Sequence, residues 1–347
     1  MTTQGIYIYG IVPNFYGTTQ FQSLDNSGVY AITYENISAI VSDRESAHLD
    51  FTDRESLART LVHHQQTIED LMAKGFNMII PMKLGTIVNS KKDVSDILAR
   101  GHEIIINTLT KIEYLTEIDL VVTWADFSSL LKGIAELPAI QSIKNDMTKA
   151  NGIVAMTDQV RMGLIIHDIV NKQNKAIESK IQEALASCCL DKKLHEVMND
   201  EMVTNSAFLI NRNKQAEFEH AIDQLDEMFG GSLNFKLVGP LPCYSFQTLE
   251  VRNLNPEQII QAGKTLGVKE KTNETEIKKA YLEKAKLHHP DNNSQDTPVN
   301  GDFNAIRNAY NTLVEYAAAV RQSSKEEYIS LSGTSVPEHL TIIKIKD

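Results

Sequence analysis

Three side chains that could do chemistry together lie around one proline, since His288 and His289 precede Pro290 and Asp291 follows it. Imidazole nitrogens and a carboxylate this close in sequence are candidate metal ligands. A basic stretch precedes them, with Lys278, Lys279 and Lys286. Pro290 ends the helix predicted for this basic stretch, so His289-Pro290-Asp291 stands where that helix ends.

His63 and His64 form a second candidate metal pair. Adjacent residues on a helix point about 100° apart, so two neighbouring histidines make poor ligands for one ion. His64 falls on an apolar helical stripe with Leu57, Leu61 and Ile68. We interpret it as a hydrogen-bonded core histidine and predict no metal site.

The chain contains no phosphate-binding glycine loop, no nucleophile elbow and no set of zinc ligands. Lys83 could serve as a phosphate ligand, but we favour an exposed lysine beside a strand. Cys188, Cys189 and Cys243 have neither metal spacing nor a disulfide framework, and idle thiols are favoured over a redox pair. We therefore predict no catalytic residue, no cofactor and no enzymatic activity.

Composition narrows the class of protein. The 347 residues allow two or three domains, and 42% of them are hydrophobic, as in an ordinary globular chain. A net charge of −11 argues against binding nucleic acid. We find neither an apolar run long enough to insert in a membrane nor a signal peptide, so we expect a cytoplasmic protein. Residues 256–321 contain nine Lys/Arg and nine Asp/Glu, so the remainder carries the whole net charge.

The basic stretch is predicted to be a helix that begins at a capping box, Asn273 with Glu276. Its apolar face holds Ile277, Tyr281, Ala285 and His288, and Pro290 ends it. A second helix follows, whose apolar face has the members Phe303, Ile306, Ala309, Tyr310 and Leu313.

These elements resemble a J domain of the DnaJ family over about residues 256–321. Leu266-Gly267-Val268, Ala280-Tyr281, the His-Pro-Asp tripeptide and the pattern from Phe303 to Leu313 stand in the family's order and spacing. The resemblance implies docking to a DnaK-type ATPase chaperone, through the residues His289, Pro290, Asp291, Lys278, Lys279, Tyr281 and Lys286. Leu282 and Glu283 stand where the family often has basic residues, so a J-like domain that has lost its partner is the alternative.

The first 250 residues alternate strands and helices, which predicts an α+β fold. We divide them into an N-terminal domain, 1–126, and a helical segment with a second α+β domain, 127–250. The first contains a strand at 118–123 that completes it. Residues 127–200 are predicted to be helical throughout, and a strand, a helix and a strand follow between 203 and 239.

This part resembles the gas vesicle protein L/F family over about residues 4–248. The matching residues are Tyr7 to Ile11, His64-Gln65, Ile80 to Thr86, Asn205 to Ile210, and Gly239-Pro240 with Tyr244 to Phe246. The resemblance implies two α+β domains of the L/F type with a helical segment between them, followed here by an all-α J-domain-like hairpin. It also implies a gas vesicle accessory protein that binds the small hydrophobic shell protein and other vesicle accessory proteins, in the cytoplasm and at the vesicle.

Together the two resemblances predict an assembly factor that holds the shell protein and brings a DnaK-type chaperone to it. The rival is a minor structural component of the vesicle shell, in which the J-like hairpin is only a protein contact. An enzyme with an unrecognised site is the third possibility.

Residues 340–346 are rich in β-branched side chains and predict a terminal strand. A helical hairpin has no sheet to accept it, and an unpaired apolar strand is an aggregation hazard. We therefore expect residues 322–337 to act as a return linker and the strand to join the sheet edge of an α+β domain. The J-like domain would then be an insertion held at both ends. The alternative is a disordered terminus.

Overall fold

The computed structural model describes residues 5–14, 28–44, 54–149, 156–287, 299–324, 327–332 and 340–346. Within them the chain has the predicted α+β fold, with two larger antiparallel sheets, two sheets of two strands each, and a helical unit near the C-terminal end. His288 and the His289-Pro290-Asp291 tripeptide lie outside these residues. No helix of the described part is long and apolar enough to cross a membrane.

The first sheet has the strand order β2-β3-β1-β4, and β5 pairs with another part of β1. Its strands and helices are β1 Gly5–Pro13, β2 Val29–Tyr34, β3 Ile37–Arg44, α1 Arg54–Ala73, β4 Ile80–Pro81, β5 Ile87–Val88 and α2 Lys91–Ile112. Strand β1 is buried along its whole length because both of its faces are covered. Ile8 and Ile11 pack in the cluster that contains α2, whereas Tyr7 and Tyr9 pack in the cluster that contains α1.

The second sheet has the order β7-β8-β6-β9. Its strands are β6 Leu115–Trp124, β7 Asp191–Leu194, β8 Met202–Asn211 and β9 Leu233–Leu241, and the helices of this region are α3 Phe127–Ala135, α4 Pro138–Lys149, α5 Met156–Leu185 and α6 Gln215–Phe229. Ile118 and Leu120 of β6 pack with Leu185 of α5 and Phe218 of α6. Alternate residues of a strand face opposite sides, so Glu117 and Asp119 lie on the face away from these helices.

Two expectations about this region are wrong. The strand expected to complete the first domain is β6, which instead lies at the centre of the second sheet and pairs with β8 and β9. Its apolar residues face the helices that follow it in sequence, and this draws it away from the first sheet. Residues 127–200 are also not helical throughout, because β7 pairs with the edge of β8. A four-residue strand with two lysines is too short to show the alternation of apolar and polar residues that predicts a strand.

In its described residues the J-like unit has three helices, one more than the expected hairpin. Its elements are α7 Pro256–Leu266, β11 Lys271–Thr272, α8 Glu274–Leu287, α9 Val299–Ser324 and β12 Ile329–Ser330. Ile259, Leu266, Ile277 and Leu313 form its core. The predicted cap is confirmed in part, since Glu276 N–H donates to Asn273 Oδ1 at 2.9 Å. The Glu276 carboxylate accepts from the Thr272 hydroxyl at 3.0 Å.

The terminal strand is confirmed as β13, Leu340–Lys346. Its partner differs from the expected one: β13 pairs antiparallel with β10, Thr248–Leu254, a strand that directly precedes the J-like unit. We call this two-stranded sheet the closing ribbon. A single bridge between Met82 and Leu249 links it to the first sheet. The J-like unit is therefore enclosed between two paired strands.

One apolar cluster connects the parts of the molecule. It contains the α2-facing side of the first sheet together with Ala207 of β8, Phe246, Leu249 of β10 and Ile343 of β13. Burial of apolar area is the main favourable term in folding. The two sheets and the closing ribbon therefore share one core.

A chain of ion pairs extends from the first sheet to helix α9. Lys83 pairs with Glu250, and Lys344 pairs with Glu250 at 3.6 Å and also with Glu315 of α9. Arg252 reaches Glu315 at 2.9 Å. Burial alone raises the pKa of Glu250, but Lys83 and Lys344 hold that pKa below its ordinary value. These ion pairs link α9 to both strands of the ribbon, and their partial exposure limits what each contributes to stability.

We predict that Gly101→Leu weakens the attachment of the ribbon. A Cβ atom at Gly101 would lie 3.0 Å from Ile343 Cγ2 and 3.1 Å from Ile105 Cδ1, so a larger side chain would overpack the contact between α2 and β13. We expect the free energy of unfolding, measured in urea, to fall by about 1–3 kcal/mol.

Gly163→Leu on α5 is the matched control, because a Cβ atom there meets nothing within 4 Å. Removing a helical glycine at this open position should leave stability unchanged or raise it by up to about 1 kcal/mol. Equal stability of the two variants would contradict close packing of β13 on α2.

Candidate functional site

A cleft of about 1090 Å³ lies where helix α1, the open face of the second sheet and the closing ribbon meet. Three of the segments that carry the L/F resemblance line it: His64-Gln65, Met82 to Leu84, and Tyr244-Ser245. A fourth, β1, supports its wall, because the Tyr7 hydroxyl contacts His64. Residues far apart in sequence thus line one concave surface, which is the usual form of a binding site.

Glu117 lies at the base of the cleft and is 1% exposed. Its Oε2 accepts the Ser245 N–H at 2.8 Å, and its Oε1 accepts the Ser245 hydroxyl at 2.7 Å. Burial raises the pKa of Glu117 to about 8, although the two bonds from Ser245 lower it. A carboxyl group with that pKa is mostly protonated at neutral pH. Its structural effect is to tie the segment around Ser245 to strand β6.

Asp119 and His195 complete the polar base of the cleft. His195 Nε2 lies 3.1 Å from Ser245 Oγ. Burial raises the pKa of Asp119, although the His195 charge lowers it. Serine, histidine and carboxyl groups also occur in hydrolases, but here the Ser245 hydroxyl donates to Glu117 rather than to the imidazole. The two bonds to Glu117 hold the loop that contains Ser245 against β6.

Sequence reasoning did not single out Glu117, Asp119, His195 or Ser245 as a group. Glu117 and Asp119 alternate with apolar residues on a strand, a pattern typical of a solvent-facing side. The first sheet and the segment around Ser245 cover that side. Only this long-range contact turns an ordinary polar face into a buried one.

The prediction that His64 is a hydrogen-bonded core histidine is confirmed. It is 4% exposed, and its Nδ1 lies 2.9 Å from the Tyr7 hydroxyl. Burial, and then the neighbouring His63, lower the pKa of His64 to about 4, so the ring is neutral at physiological pH. His63 bonds the Tyr9 hydroxyl at 3.0 Å instead of sharing a ligand with His64. Among the residues that the structure describes, no group of three or more His, Cys, Asp or Glu could hold a metal ion.

Two lesser candidates are also placed. Lys83 is exposed, as expected, but it is more than a solubilising residue because it pairs with Glu250 of β10. Cys188, Cys189 and Cys243 are free thiols. Burial raises the pKa of Cys243 to about 12, and burial also raises the pKa of Cys189. Neither thiol is activated as a nucleophile.

Helix α8 carries the predicted chaperone-binding residues. Lys278, Lys279 and Lys286 are exposed on it. The Tyr281 ring is half-buried and stacks on Tyr310 of α9, with centroids 4.4 Å apart. It therefore helps to join the two helices, and its contact with a chaperone stays a prediction. The roles of His289, Pro290 and Asp291 also stay predictions, because the tripeptide lies outside the described residues.

We predict that Glu117→Gln removes a pH dependence of stability. The raised pKa means that the folded protein keeps a proton that the unfolded chain releases between about pH 4.5 and 8. Wild-type stability should therefore fall as the pH rises through this window, and glutamine cannot titrate. Urea unfolding measures this across the window. From its lower to its upper end, the free energy of unfolding of Glu117→Gln should rise relative to that of wild type by on the order of 2 kcal/mol.

Glu103→Gln, at an exposed position of α2, is the control and should follow the wild-type pH profile. If Glu117→Gln and wild type lose stability in parallel as the pH rises, Glu117 is not the buried group that keeps its proton in the folded state.

Two family models match the chain. The model described as gas vesicle synthesis protein GvpL/GvpF matches residues 5–248, and the DnaJ domain matches residues 264–318. Both resemblances inferred from sequence motifs are thereby confirmed. Because a DnaJ domain in general works with a DnaK-type chaperone, the chain combines a gas vesicle-related role with a link to chaperones.

Individual relatives agree with the GvpL/GvpF match. Gas vesicle protein F of Dolichospermum flosaquae is 23% identical over 249 residues, covering 71% of this chain and 98% of the relative. Gas vesicle protein F of Haloferax mediterranei is 20% identical over 253 residues, covering 72% of this chain and 96% of the relative. The crystal structure of GvpF from an Anabaena species has a TM-score of 0.56 at 21% identity, covering 70% of this chain and 97% of that one, which is a likeness of fold. Since the GvpL/GvpF match spans most of its length, the chain belongs to the gas vesicle GvpL/GvpF family and carries a DnaJ domain as well.

Proposed function

We propose that this protein is a non-enzymatic assembly factor that binds the hydrophobic gas vesicle shell protein and recruits a DnaK-type chaperone to it. The observation that carries the proposal is the presence of a GvpL/GvpF part and a DnaJ domain in one chain. Two binding modules on one chain make the second encounter intramolecular, which raises its effective concentration.

Helix α8 supports the chaperone half of the proposal. It packs against α7 and α9, and Lys278, Lys279 and Lys286 remain on its exposed side. Positive charge there would steer the helix towards an acidic docking surface and raise the association rate. Leu282 and Glu283, at family positions that are often basic, are also exposed and would reduce this steering.

The cleft and its surroundings support the client half. Three of the motif segments of the GvpL/GvpF part line a concave surface, and polar groups at its base hold a loop. Concave surfaces with mixed apolar and polar lining are suited to binding. The closing ribbon borders this cleft and also encloses the DnaJ domain, so a bound client and a docked chaperone would be held at a fixed separation.

We predict that the full-length protein stimulates ATP hydrolysis by its cognate DnaK-type chaperone by about tenfold or more, and that His289→Gln abolishes the stimulation. The reason is the match of the His-Pro-Asp tripeptide to the family's docking motif. Single-turnover ATPase assays measure it. Lys278→Glu with Lys279→Glu should weaken the stimulation in a salt-dependent way, because they reverse the steering charge.

His220→Gln on α6 is the matched control, because His220 is exposed on the helix of the second sheet. It should stimulate as wild type does. Stimulation by wild type no greater than by His289→Gln would remove the chaperone role and favour the rival, a minor shell component.

We predict that co-expression with this protein moves the shell protein from the pellet to the soluble fraction after centrifugation. Covering the apolar surface of the client prevents its self-association. The His289→Gln variant should still form soluble complexes, because client binding is assigned to the GvpL/GvpF part. Recovery of the protein mainly with intact vesicles after stringent washing, with none in soluble complexes, would instead indicate a structural component.

A further inference from the structure

We propose that the cleft binds an extended, acidic and apolar segment of a partner polypeptide, which lysines attract at its mouth and leucines hold along its sides. This inference rests on the proposed role in holding a vesicle partner. Beyond that role, we name the surface that binds the partner and the chemistry of the segment that the surface accepts.

The mouth of the cleft is positively charged, although the whole chain carries −11. Lys192 and Lys193 of β7 and Lys346 of β13 line it. Lys192 Nζ donates to the neutral Gln182 Oε1 at 2.8 Å, and Lys193 Nζ donates to the Ser245 carbonyl at 2.7 Å. None of the three pairs with a carboxylate of the described part. Their charges therefore remain available to an anionic segment at close range.

The sides of the cleft are apolar and face solvent. Leu61 of α1 is 49% exposed and Leu194 of β7 is 55% exposed, and both line the cleft together with Leu84. An extended chain turns alternate side chains to opposite sides. A segment in which apolar and acidic residues alternate would thus cover the leucines and also reach the lysines.

The base of the cleft carries one unpaired acceptor and one unpaired donor. Asp119 Oδ1 and the Tyr244 hydroxyl are buried, and neither has a hydrogen-bond partner among the described residues. A buried polar group without a partner is unfavourable, so both atoms would gain from a ligand. A polypeptide offers N–H donors, which Asp119 Oδ1 lacks, and C=O acceptors, which the Tyr244 hydroxyl lacks. The partner is therefore expected to be a polypeptide rather than a lipid.

Full-length protein titrated into three labelled peptides of equal length tests this by fluorescence anisotropy. The probes alternate Glu with Leu, Lys with Leu, and Glu with Ser. We expect the Glu–Leu peptide to bind at least about tenfold more tightly than either of the others, and salt to weaken its binding.

Variants assign the binding to the cleft. Lys192→Glu with Lys346→Glu should lower the affinity for the Glu–Leu peptide about tenfold or more. Lys175→Glu with Lys180→Glu should leave that affinity unchanged. The control pair lies on α5, which covers the opposite face of the second sheet. Tyr244→Phe should also weaken binding without lowering stability, since its hydroxyl bonds no described residue.

Equal affinity for the Glu–Leu and Lys–Leu peptides would overturn the inference, and so would full binding by the cleft variant. The outcome is separable from that of the proposed function. Peptide binding at the cleft while the shell protein stays insoluble would support the cleft and contradict the assembly role. A solubilised shell protein with no preference among the peptides would support the assembly role and overturn the proposed peptide-binding site in the cleft.

Discussion

The pairing of β10 with β13 is the interaction on which the arrangement of the whole molecule depends. These two strands lie on either side of the DnaJ domain in sequence, and their antiparallel register brings its entry and exit together. The same strands contribute Leu249 and Ile343 to the core shared by the two sheets. Backbone pairing gives the ribbon its direction, and apolar burial fixes it to the GvpL/GvpF part. Without this pairing the DnaJ domain would be joined to the rest of the chain by a single strand.

A second constraint acts at the contact between the two sheets. The open face of the second sheet presents carboxyl groups, and burying a charged carboxylate is strongly unfavourable. Glu117 avoids most of this penalty because its raised pKa keeps it protonated and because Ser245 supplies two hydrogen bonds. A polar contact of this kind is directional, unlike apolar packing. It therefore sets how the segment around Ser245 lies against β6, and with it the shape of the cleft.

The sequence predicted the features that local chemistry controls. The Asn273 half of the helix cap, the core histidine His64 and the β-branched terminal strand were confirmed, because each depends on neighbouring residues or on one amphipathic face. The errors concern pairing between distant segments. The residues of strand β6 do not indicate which sheet it will join, and the apolar residues of β10 alternate only weakly with charged ones. The polar base of the cleft was missed for the same reason, since its burial depends on a contact between parts of the chain that lie far apart in sequence.

The register of the closing ribbon also bears on how such a chain could arise. Leu254 and Leu340 are cross-strand partners, so the two ends of the intervening segment lie about 5 Å apart. In topological terms the DnaJ domain occupies the place of a hairpin turn. Excising it in frame and closing the gap with a two-residue turn would preserve every strand pair on the remaining side. A recombination event at one turn could therefore add or remove a DnaJ domain without changing the strand order of the part that receives it.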